Sequence, residues 1–414
     1  MKVKKFILGN LNILGRKMVM KRDKKVGLCM AYKGTNYGQL LQAYATQKII
    51  EDFGFRTEII EFKSGAKKEL LPYYATFHVA MKKIFHKFRL NKRKQNELDE
   101  IHKINVNERQ RVAEDFRKRN MHDFVKCDGI DQLKEKSTEY FAVVVGSDQV
   151  WLPDISVTNF FTLRFAAPDV VRISYATSMG VQSYPNYAKK PAAEFWKKID
   201  YLSVREEQAK NVIQSICNVP VEVVADPTYL FTTEQWMEMI PSEKVIEDKY
   251  ILCYFLGGDI DIKNYAKKFS KEKKIRLVSI MSDESESDDT TYADEVLYGK
   301  TPEEFINLIR NAEYILTDSF HGVAFSVINQ KQFYVFYRKR IDTKESRNSR
   351  IDNIVRIWGL QNRLINNPKS AEIGDSRIDY TKVNEKRMDF RENSLKFLAN
   401  ALNVEEKQYA KDIV

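Results

Sequence analysis

Short apolar runs that each stop at polar or glycine residues recur along most of the chain, and they constrain its fold most strongly. Residues 26–32, 141–146 and 250–256 are three such runs, each about as long as a buried strand. Segments with apolar residues at helical spacing separate them. Strands that alternate with helices predict parallel sheets with helices on both faces. In such sheets ligands bind beyond the carboxyl ends of the strands, where the polar residues of this chain lie.

The length of the chain predicts two domains of this kind, because 414 residues exceed one ordinary core. We expect the α/β class, with two Rossmann-like domains that face a cleft and a helical, basic insertion in the first. A basic leader takes residues 1–25, and the first domain takes 26–227 with the insertion at about 67–126. The second domain takes residues 228–381, and a C-terminal helix at 382–414 could pack back on the first domain.

The net charge of +11 is concentrated in two of these segments. Residues 1–25 carry nine Lys and Arg against one Asp, and residues 67–126 carry sixteen against eight Asp and Glu. A solvated helical face is the simplest interpretation, and contact with an anionic membrane is the alternative. Nucleic acid is not a predicted partner, because no recognition motif occurs and aromatic residues do not alternate with the basic ones.

Cysteine usage and hydropathy predict a cytoplasmic protein. The four cysteines are far apart, which is typical of reduced thiols in the cytosol. Two asparagines interrupt the apolar patch at residues 6–15, so we expect no secretory signal. No window approaches the roughly 20 apolar residues of a membrane span. Because of the basic segments, peripheral contact with the inner face of the membrane remains an alternative.

The stretch at residues 314–326 predicts a strand, a tight turn and a helix. This arrangement puts Ser319 and His321 at the carboxyl end of a strand and directs the N–H groups of a helix start into the same space. A histidine there could act as an acid or base beside a bound anion. A buried structural histidine is the alternative.

Three arginines, two at the ends of apolar runs and one at a predicted helix start, could complete an anion site. Arg205, Arg338 and Arg350 suit a small phosphorylated substrate, because guanidinium groups bind phosphate and carboxylate through paired hydrogen bonds. Each arginine could instead form a surface ion pair.

Three carboxylates also follow apolar runs. Asp148, Asp226 and Asp318 could orient His321, bind sugar hydroxyls or cap helices. A structural role is an equal alternative for Asp226, which precedes a proline, and for Asp318. No cluster has the spacing of zinc ligands, so we expect no metal.

Seven short motifs occur along the chain in an order that resembles the polysaccharide pyruvyl transferase family. The resemblance covers about residues 26–360, while the leader and the basic insertion fall outside its motifs. The ordered set is fairly specific, and any one member is weak. The motifs are 36–38 with Gln39 and Gln42, 146–151, 174–178, 203–206, 226–228, 317–322 and 349–350.

The resemblance implies a GT-B-like fold and an enzyme that moves the enolpyruvyl unit of phosphoenolpyruvate onto two hydroxyls of a sugar. The products are a cyclic pyruvate ketal and phosphate, and phosphoenolpyruvate is a co-substrate, with no cofactor implied. His321 matches the histidine regarded as the general acid of the family, and we expect Asp148 to accept a hydroxyl proton. The residues predicted to bind the acceptor are Asn36, Tyr37, Gln39, Gln149 and Ser178.

The donor site departs from the family pattern in one turn. Many relatives have Arg-Leu-His where this chain has Ser319, Phe320 and His321, so one cation is missing. Ser319 can donate only a neutral hydrogen bond, and we expect Arg338 or Arg350 to supply the lost charge. The residues predicted to bind the donor are Arg205, Ser319, Phe320, Gly322, Arg338 and Arg350.

The acceptor expected from the resemblance is a hexose such as galactose, with free 4- and 6-hydroxyls, in a lipid-linked capsule or exopolysaccharide precursor. A glycosyltransferase of the same shape that uses a nucleotide sugar is the nearest alternative. A non-catalytic polysaccharide- or anion-binding protein is the second. An RNA-binding role would require salt-sensitive affinity centred on residues 1–25 and 67–126.

Overall fold

The computed structural model describes residues 25–63, 100–282, 289–338, 348–374 and 376–405. Most of the predicted leader, the part of the predicted insertion at 64–99 and the end of the predicted C-terminal helix lie outside the described residues.

Seven parallel strands form the sheet of the first domain, in the order β3-β2-β1-β4-β5-β6-β7. This is the Rossmann order extended by one strand. All four residues of β4 are buried, as expected for a strand covered by helices on both faces. The strands are β1 (Lys25–Cys29), β2 (Arg56–Lys63), β3 (Phe124–Asp128), β4 (Ala142–Val145), β5 (Val171–Thr177), β6 (Tyr201–Val204) and β7 (Glu222–Val223).

Six parallel strands form the second sheet, in the order β10-β9-β8-β11-β12-β13, which is again the Rossmann order. The central strand β8 is buried along its whole length. The strands are β8 (Tyr250–Tyr254), β9 (Arg276–Ile280), β10 (Glu295–Leu297), β11 (Tyr314–Thr317), β12 (Gln332–Phe336) and β13 (Leu364–Ile365).

Helices connect the strands and cover the sheets. In the first domain they are α1 (Tyr37–Asp52), α2 (Glu100–Asn120), α3 (Ile130–Ser137), α4 (Asn186–Trp196) and α5 (Glu207–Ile216). Those that follow are α6 (Thr233–Met239), α7 (Ile260–Lys273), α8 (Pro302–Asn311), α9 (Phe320–Ile328), α10 (Ser349–Trp358) and α11 (Tyr380–Ala401).

Both sheets have a switch point where the strand order reverses. In the first sheet it lies between β1 and β4, and in the second between β8 and β11. Ligands bind at such points, beyond the carboxyl ends of the strands. Two Rossmann-like domains whose switch points face each other confirm the predicted GT-B-like fold.

Three strands were not anticipated from the sequence. β3 begins at Phe124, inside the stretch predicted to be helical, and only one of its five residues is buried, so its apolar pattern is weak. β10 and β13 have three and two residues and are too short to show a period. The described part of the insertion is otherwise helical, since it forms α2.

α11 runs back from the second domain to the end of the first. The Ser394 hydroxyl accepts a hydrogen bond from the Ala225 N–H at 2.8 Å, and the Arg391 Nε donates to the Leu230 carbonyl at 2.8 Å. Within the described ranges, no helix is long and apolar enough to cross a membrane.

Candidate active site

The turn between β11 and α9 presents His321 at the start of a helix. Ser319 is the N-cap, and its hydroxyl accepts a hydrogen bond from the Gly322 N–H at 3.3 Å. Gly322 lets the helix approach the strand closely, because a Cβ there would lie 2.5 Å from Thr317 Oγ1. His321 therefore leaves the first turn of α9 toward the first domain.

The turn between β1 and α1 meets that helix start from the other domain. Asn36 caps α1, and its side-chain oxygen accepts hydrogen bonds from Gly38 N at 3.0 Å and Gln39 N at 3.3 Å. An ideal Cβ on Gly38 would lie 1.9 Å from His321 Nδ1. The imidazole thus fills the space that a side chain at position 38 would need. Two helix N-termini, one from each domain, face the same small volume.

Arg205 is the buried cation of this volume. Its Nη1 donates to Asp226 Oδ2 at 2.8 Å and to Ser147 Oγ at 3.2 Å, and its Nε donates to Glu206 Oε1 at 3.1 Å. The guanidinium lies over the Phe320 ring, 4.3 Å from the centroid. These contacts hold a charged side chain that is only 2% exposed in one orientation.

Asp226 links Arg205 to the histidine. Its Oδ2 lies 3.8 Å from His321 Nε2, and its Oδ1 accepts hydrogen bonds from the Thr228 N–H and hydroxyl. Burial acts to raise the pKa of this carboxyl, but His321, Arg205 and Ser147 outweigh it and hold the pKa far below its usual value. Asp226 is therefore an anion over the whole physiological pH range.

Arg350 and Arg338 bring further positive charge to the site. The pKa of Arg350 is lowered to about 10, mainly by burial and then by the charges of Arg205 and Arg338. Arg350 remains a cation at neutral pH. Arg338 Nε lies 3.4 Å from Asp318 Oδ2, and the Asp318 carboxylate also accepts hydrogen bonds from the Leu256 N–H at 2.7 Å and the Gly257 N–H at 2.9 Å. Arg350 thus lies within electrostatic reach of both Arg205 and Arg338.

Arg205, His321 and Arg350 each have one buried nitrogen with no hydrogen-bond partner among the residues that the structure describes. These nitrogens are Arg205 Nη2, His321 Nε2 and Arg350 Nε. Buried donors are normally satisfied, so unmade hydrogen bonds at one site indicate where an anion can bind. Two cationic groups and an imidazole suit a ligand with several acceptor oxygens.

Asp148 follows β4 and has a strained backbone. Its φ is 82°, a region that non-glycine residues enter at a cost. Its side chain accepts a hydrogen bond from Gln39 Nε2 at 3.3 Å, and its Oδ1 lies 3.8 Å from Arg205 Nη2. The side chain is partly exposed, so a carboxylate is available on the first-domain side of the cleft.

The other residues predicted to bind the acceptor lie close by, with their polar groups largely engaged within the protein. The Tyr37 hydroxyl donates to the Lys300 carbonyl at 2.8 Å, and the Ser178 hydroxyl donates to Glu206 Oε1 at 2.7 Å. Gln149 lies against Gly180, where a Cβ would be 2.2 Å from its Nε2. The Gln39 side chain donates to the carboxylate of Asp148 and accepts a hydrogen bond from the Gly34 N–H at 2.8 Å.

Two supporting residues, Ser147 and Glu206, lie within motifs of the sequence that give them no role of their own. For Asp226 the sequence leaves a structural and a functional role equally open. The signal for Asp226 was present, because it ends the last apolar run of the first domain before a proline. In the described part of the chain, no group of three His, Cys, Asp or Glu side chains could hold a metal ion.

The two Rossmann-like domains define a GT-B-like fold, and a buried cluster of cationic and polar side chains lies between them. The model of the polysaccharide pyruvyl transferase family matches residues 36–340. The chain therefore belongs to the polysaccharide pyruvyl transferase family, and membership implies a phosphoenolpyruvate donor and a sugar acceptor.

Solved structures of other enzymes resemble the chain weakly, with low sequence identity and low TM-scores. The UDP-GlcNAc 2-epimerase of Methanocaldococcus jannaschii, in complex with UDP-GlcNAc and UDP, is 13% identical, with a TM-score of 0.45 over 90% of this chain and 92% of that one. The glycosyltransferase SnogD from Streptomyces nogalater is 8% identical, with a TM-score of 0.43 over 90% and 95%. No curated protein matches the chain in sequence.

Proposed function

We propose that this enzyme transfers the enolpyruvyl group of phosphoenolpyruvate onto two hydroxyls of one hexose and forms a cyclic pyruvate ketal. The observation that carries the proposal is the cluster of His321, Asp226, Arg205 and Arg350, with three unsatisfied buried nitrogens, between the switch points of two domains. The donor carries a phosphate and a carboxylate, and the cluster offers separate cations for the two.

Arg205 and Arg350 are the proposed donor-binding cations. Arg205 is oriented by Asp226 and Glu206, which leaves its Nη2 for the ligand. Arg350 is the proposed replacement for the cation missing from the turn at Ser319. Arg338 is the weaker candidate for that role, because its Nε lies against Asp318, at 3.4 Å.

His321 is the proposed proton donor to the methylene carbon of phosphoenolpyruvate. Its Nδ1 side lies against Gly38, while its Nε2 has no hydrogen-bond partner among the described residues. The carboxylate of Asp226 lies 3.8 Å from that Nε2. Protonation makes the adjacent carbon electrophilic, and the cations stabilise the phosphate that leaves.

The acceptor supplies both carbon–oxygen bonds of the ketal. One hydroxyl attacks the electrophilic carbon, phosphate departs, and the second hydroxyl attacks the same carbon. Of the two hydroxyl protons released, one replaces the proton donated to the methylene carbon and the other leaves with phosphate. Asp148 is the proposed base, because its carboxylate is partly exposed between Gln39 and Arg205.

We also propose that the acceptor is a lipid-linked saccharide of capsule or exopolysaccharide synthesis, met at the cytoplasmic face of the membrane. The net charge of residues 1–25 and 67–126 supports this location. The check is sedimentation with phosphatidylglycerol vesicles and with phosphatidylcholine vesicles. Equal sedimentation with both, or the same binding by a chain lacking residues 1–24, would remove the proposed role of the leader.

The activity itself is tested by incubating the enzyme with phosphoenolpyruvate and hexosides that have free 4- and 6-hydroxyls. We expect phosphate release and a product heavier by one pyruvate less one water in mass spectrometry. The matched control is the same hexoside without its 6-hydroxyl, which cannot close the ring. Release of a nucleoside diphosphate from a nucleotide sugar, with no phosphate from phosphoenolpyruvate, would instead favour a glycosyltransferase.

A further inference from the structure

Helix α2 lies between the β1–α1 loop, residues 30–36, and the second domain. The helix belongs to the basic segment at residues 67–126, for which the sequence allows two roles, a solvated helical face or a contact with the membrane. Two of its arginines, Arg109 and Arg117, are eight residues apart and lie on the same side of the helix. Both point their guanidinium groups into the backbone of that loop.

Arg117 binds three consecutive carbonyls. Its Nη1 lies 3.4 Å from the Tyr32 oxygen, 3.4 Å from the Lys33 oxygen and 3.2 Å from the Gly34 oxygen. Carbonyl groups that converge in this way need a donor, and a cation stabilises all three at once. The loop is thus folded around a charge that another part of the chain supplies.

Arg109 fixes the end of the same loop. It is 1% exposed, and its Nη2 donates to the Thr35 carbonyl at 2.8 Å. Its guanidinium also stacks on the Tyr37 ring, 3.7 Å from the centroid. Thr35 and Tyr37 flank the Asn36 cap of α1, so Arg109 holds the residues on either side of that cap.

α2 is itself attached to the second domain. Asn105 is buried, and its side chain donates to the Met281 carbonyl at 3.5 Å and accepts from the Gly299 N–H at 3.1 Å. Arg119 forms an ion pair with Glu303 at 2.9 Å. The helix therefore sets the position of a first-domain loop relative to the second domain.

We propose that Arg109 and Arg117 are positioning residues, which hold the β1–α1 loop in a fixed position relative to the active site. The loop leads directly into Gly38, which contacts His321, and Gln39, which contacts Asp148. This proposal rests on the proposed function for its kinetic readout alone. A readout of loop order tests it independently.

The opposite side of α2 provides matched controls. Arg111 pairs with Glu108, and Lys118 pairs with Glu114, in exposed ion pairs along the helix. Such pairs contribute little to stability. A change at Lys118 removes one cation next to Arg117 without touching the loop.

The first experiment measures amide hydrogen exchange in the full chain. In Arg117→Ala we expect exchange at residues 32–39 to rise about tenfold, with the core strands unchanged, and no such rise in Lys118→Ala. Equal exchange in Arg117→Ala and Lys118→Ala would overturn the proposal. This result does not depend on which reaction the enzyme catalyses.

The second experiment measures steady-state kinetics with phosphoenolpyruvate and a galactoside that has free 4- and 6-hydroxyls. In Arg117→Ala we expect the acceptor KM to rise about tenfold while the donor KM stays within about twofold. Arg117→Lys should recover part of the loss, because the lysine ammonium group can still attract the three carbonyl oxygens. Arg109→Lys, by contrast, should lose as much as Arg109→Ala, because lysine has no planar group to stack on the Tyr37 ring. Equal rises in both KM values, or full recovery by Arg109→Lys, would contradict the assigned roles.

Discussion

The imidazole of His321 occupies the position where a side chain at Gly38 would begin, because an ideal Cβ there would lie 1.9 Å from its Nδ1. The two residues come from opposite domains. The orientation of the proposed proton donor therefore depends on closure of the cleft and on a glycine in the facing helix.

Gly38→Ala tests this contact. The new methyl group must displace the imidazole or separate the helix starts, so we expect kcat to fall about 100-fold. Steady-state kinetics and circular dichroism provide the check. Gly374→Ala is the matched control, because a Cβ at Gly374 meets its nearest atom at an ordinary 3.4 Å. A Gly38→Ala enzyme with normal kcat would show that the contact does not orient His321.

His321→Asn removes the proposed proton donor and keeps a small polar side chain. We expect kcat to fall about 10³-fold with donor affinity nearly unchanged, as loss of a general acid does. Single-turnover phosphate release and calorimetric titration with phosphoenolpyruvate separate the two quantities. His122→Asn is the control, since His122 is exposed and pairs with Glu51. Equal losses in both variants would rule out a specific role for His321.

Arg350→Ala should weaken donor binding. Loss of a charged hydrogen-bond donor is expected to raise the KM for phosphoenolpyruvate about tenfold or more, and Arg350→Lys should recover part of it. The control is Arg377→Ala, at an exposed position. If Arg350→Ala is neutral and Arg338→Ala raises that KM, then Arg338 supplies the missing charge.

Asp226→Asn should lower stability in a pH-dependent way. The folded state holds the pKa of Asp226 far below its usual value, so the charge stabilises the fold fully above the unfolded pKa of about 4. The contribution is lost as pH falls below that value toward the folded pKa. We expect Asp226→Asn to lower the unfolding midpoint clearly at pH 7, because Arg205 loses its buried partner, and the gap to narrow below pH 4. A gap that stays constant down to pH 3 would contradict this assignment.

Substitutions at Asp148 separate backbone strain from chemistry. Asn tolerates the left-handed conformation at φ 82° better than Ala, so Asp148→Ala should be less stable than Asp148→Asn by about 1 kcal/mol. Both should lose turnover, because both lack the carboxylate. Denaturant unfolding and kcat measure the two effects. Normal turnover in Asp148→Asn would remove Asp148 from the role of base.

Local sequence patterns predicted the elements that hold the site. The apolar run before Thr317 and the polar residues and glycine that follow it predicted β11, the turn and the start of α9, where the structure has Ser319 as the N-cap. Thr301 and Pro302 likewise have a local pattern typical of a helix start, and the structure has a capping box there, at the start of α8. These signals involve residues within about four positions of one another, which is why they can be read without coordinates.

The weak strands and the supporting charges could not be predicted in the same way. β3 is mostly exposed and has no clear apolar period. Its sequence therefore cannot be distinguished from the basic, helical segment that precedes it. Arg109 and Arg117 belong to a charge run in which every cation looks alike. Their contacts with the loop at 32–35 depend on where α2 lies in three dimensions.

The order of apolar runs, caps and motifs was sufficient to determine the α/β class, the two-domain plan and the family. Tertiary structure alone decided which charges meet: Arg205 lies between Asp226 and the Phe320 ring, and His321 lies against Gly38. The physical reason is the distance along the chain between the residues that interact. Helix and strand formation depends on near neighbours in the chain, whereas a buried ion cluster depends on which strand ends the two sheets bring together.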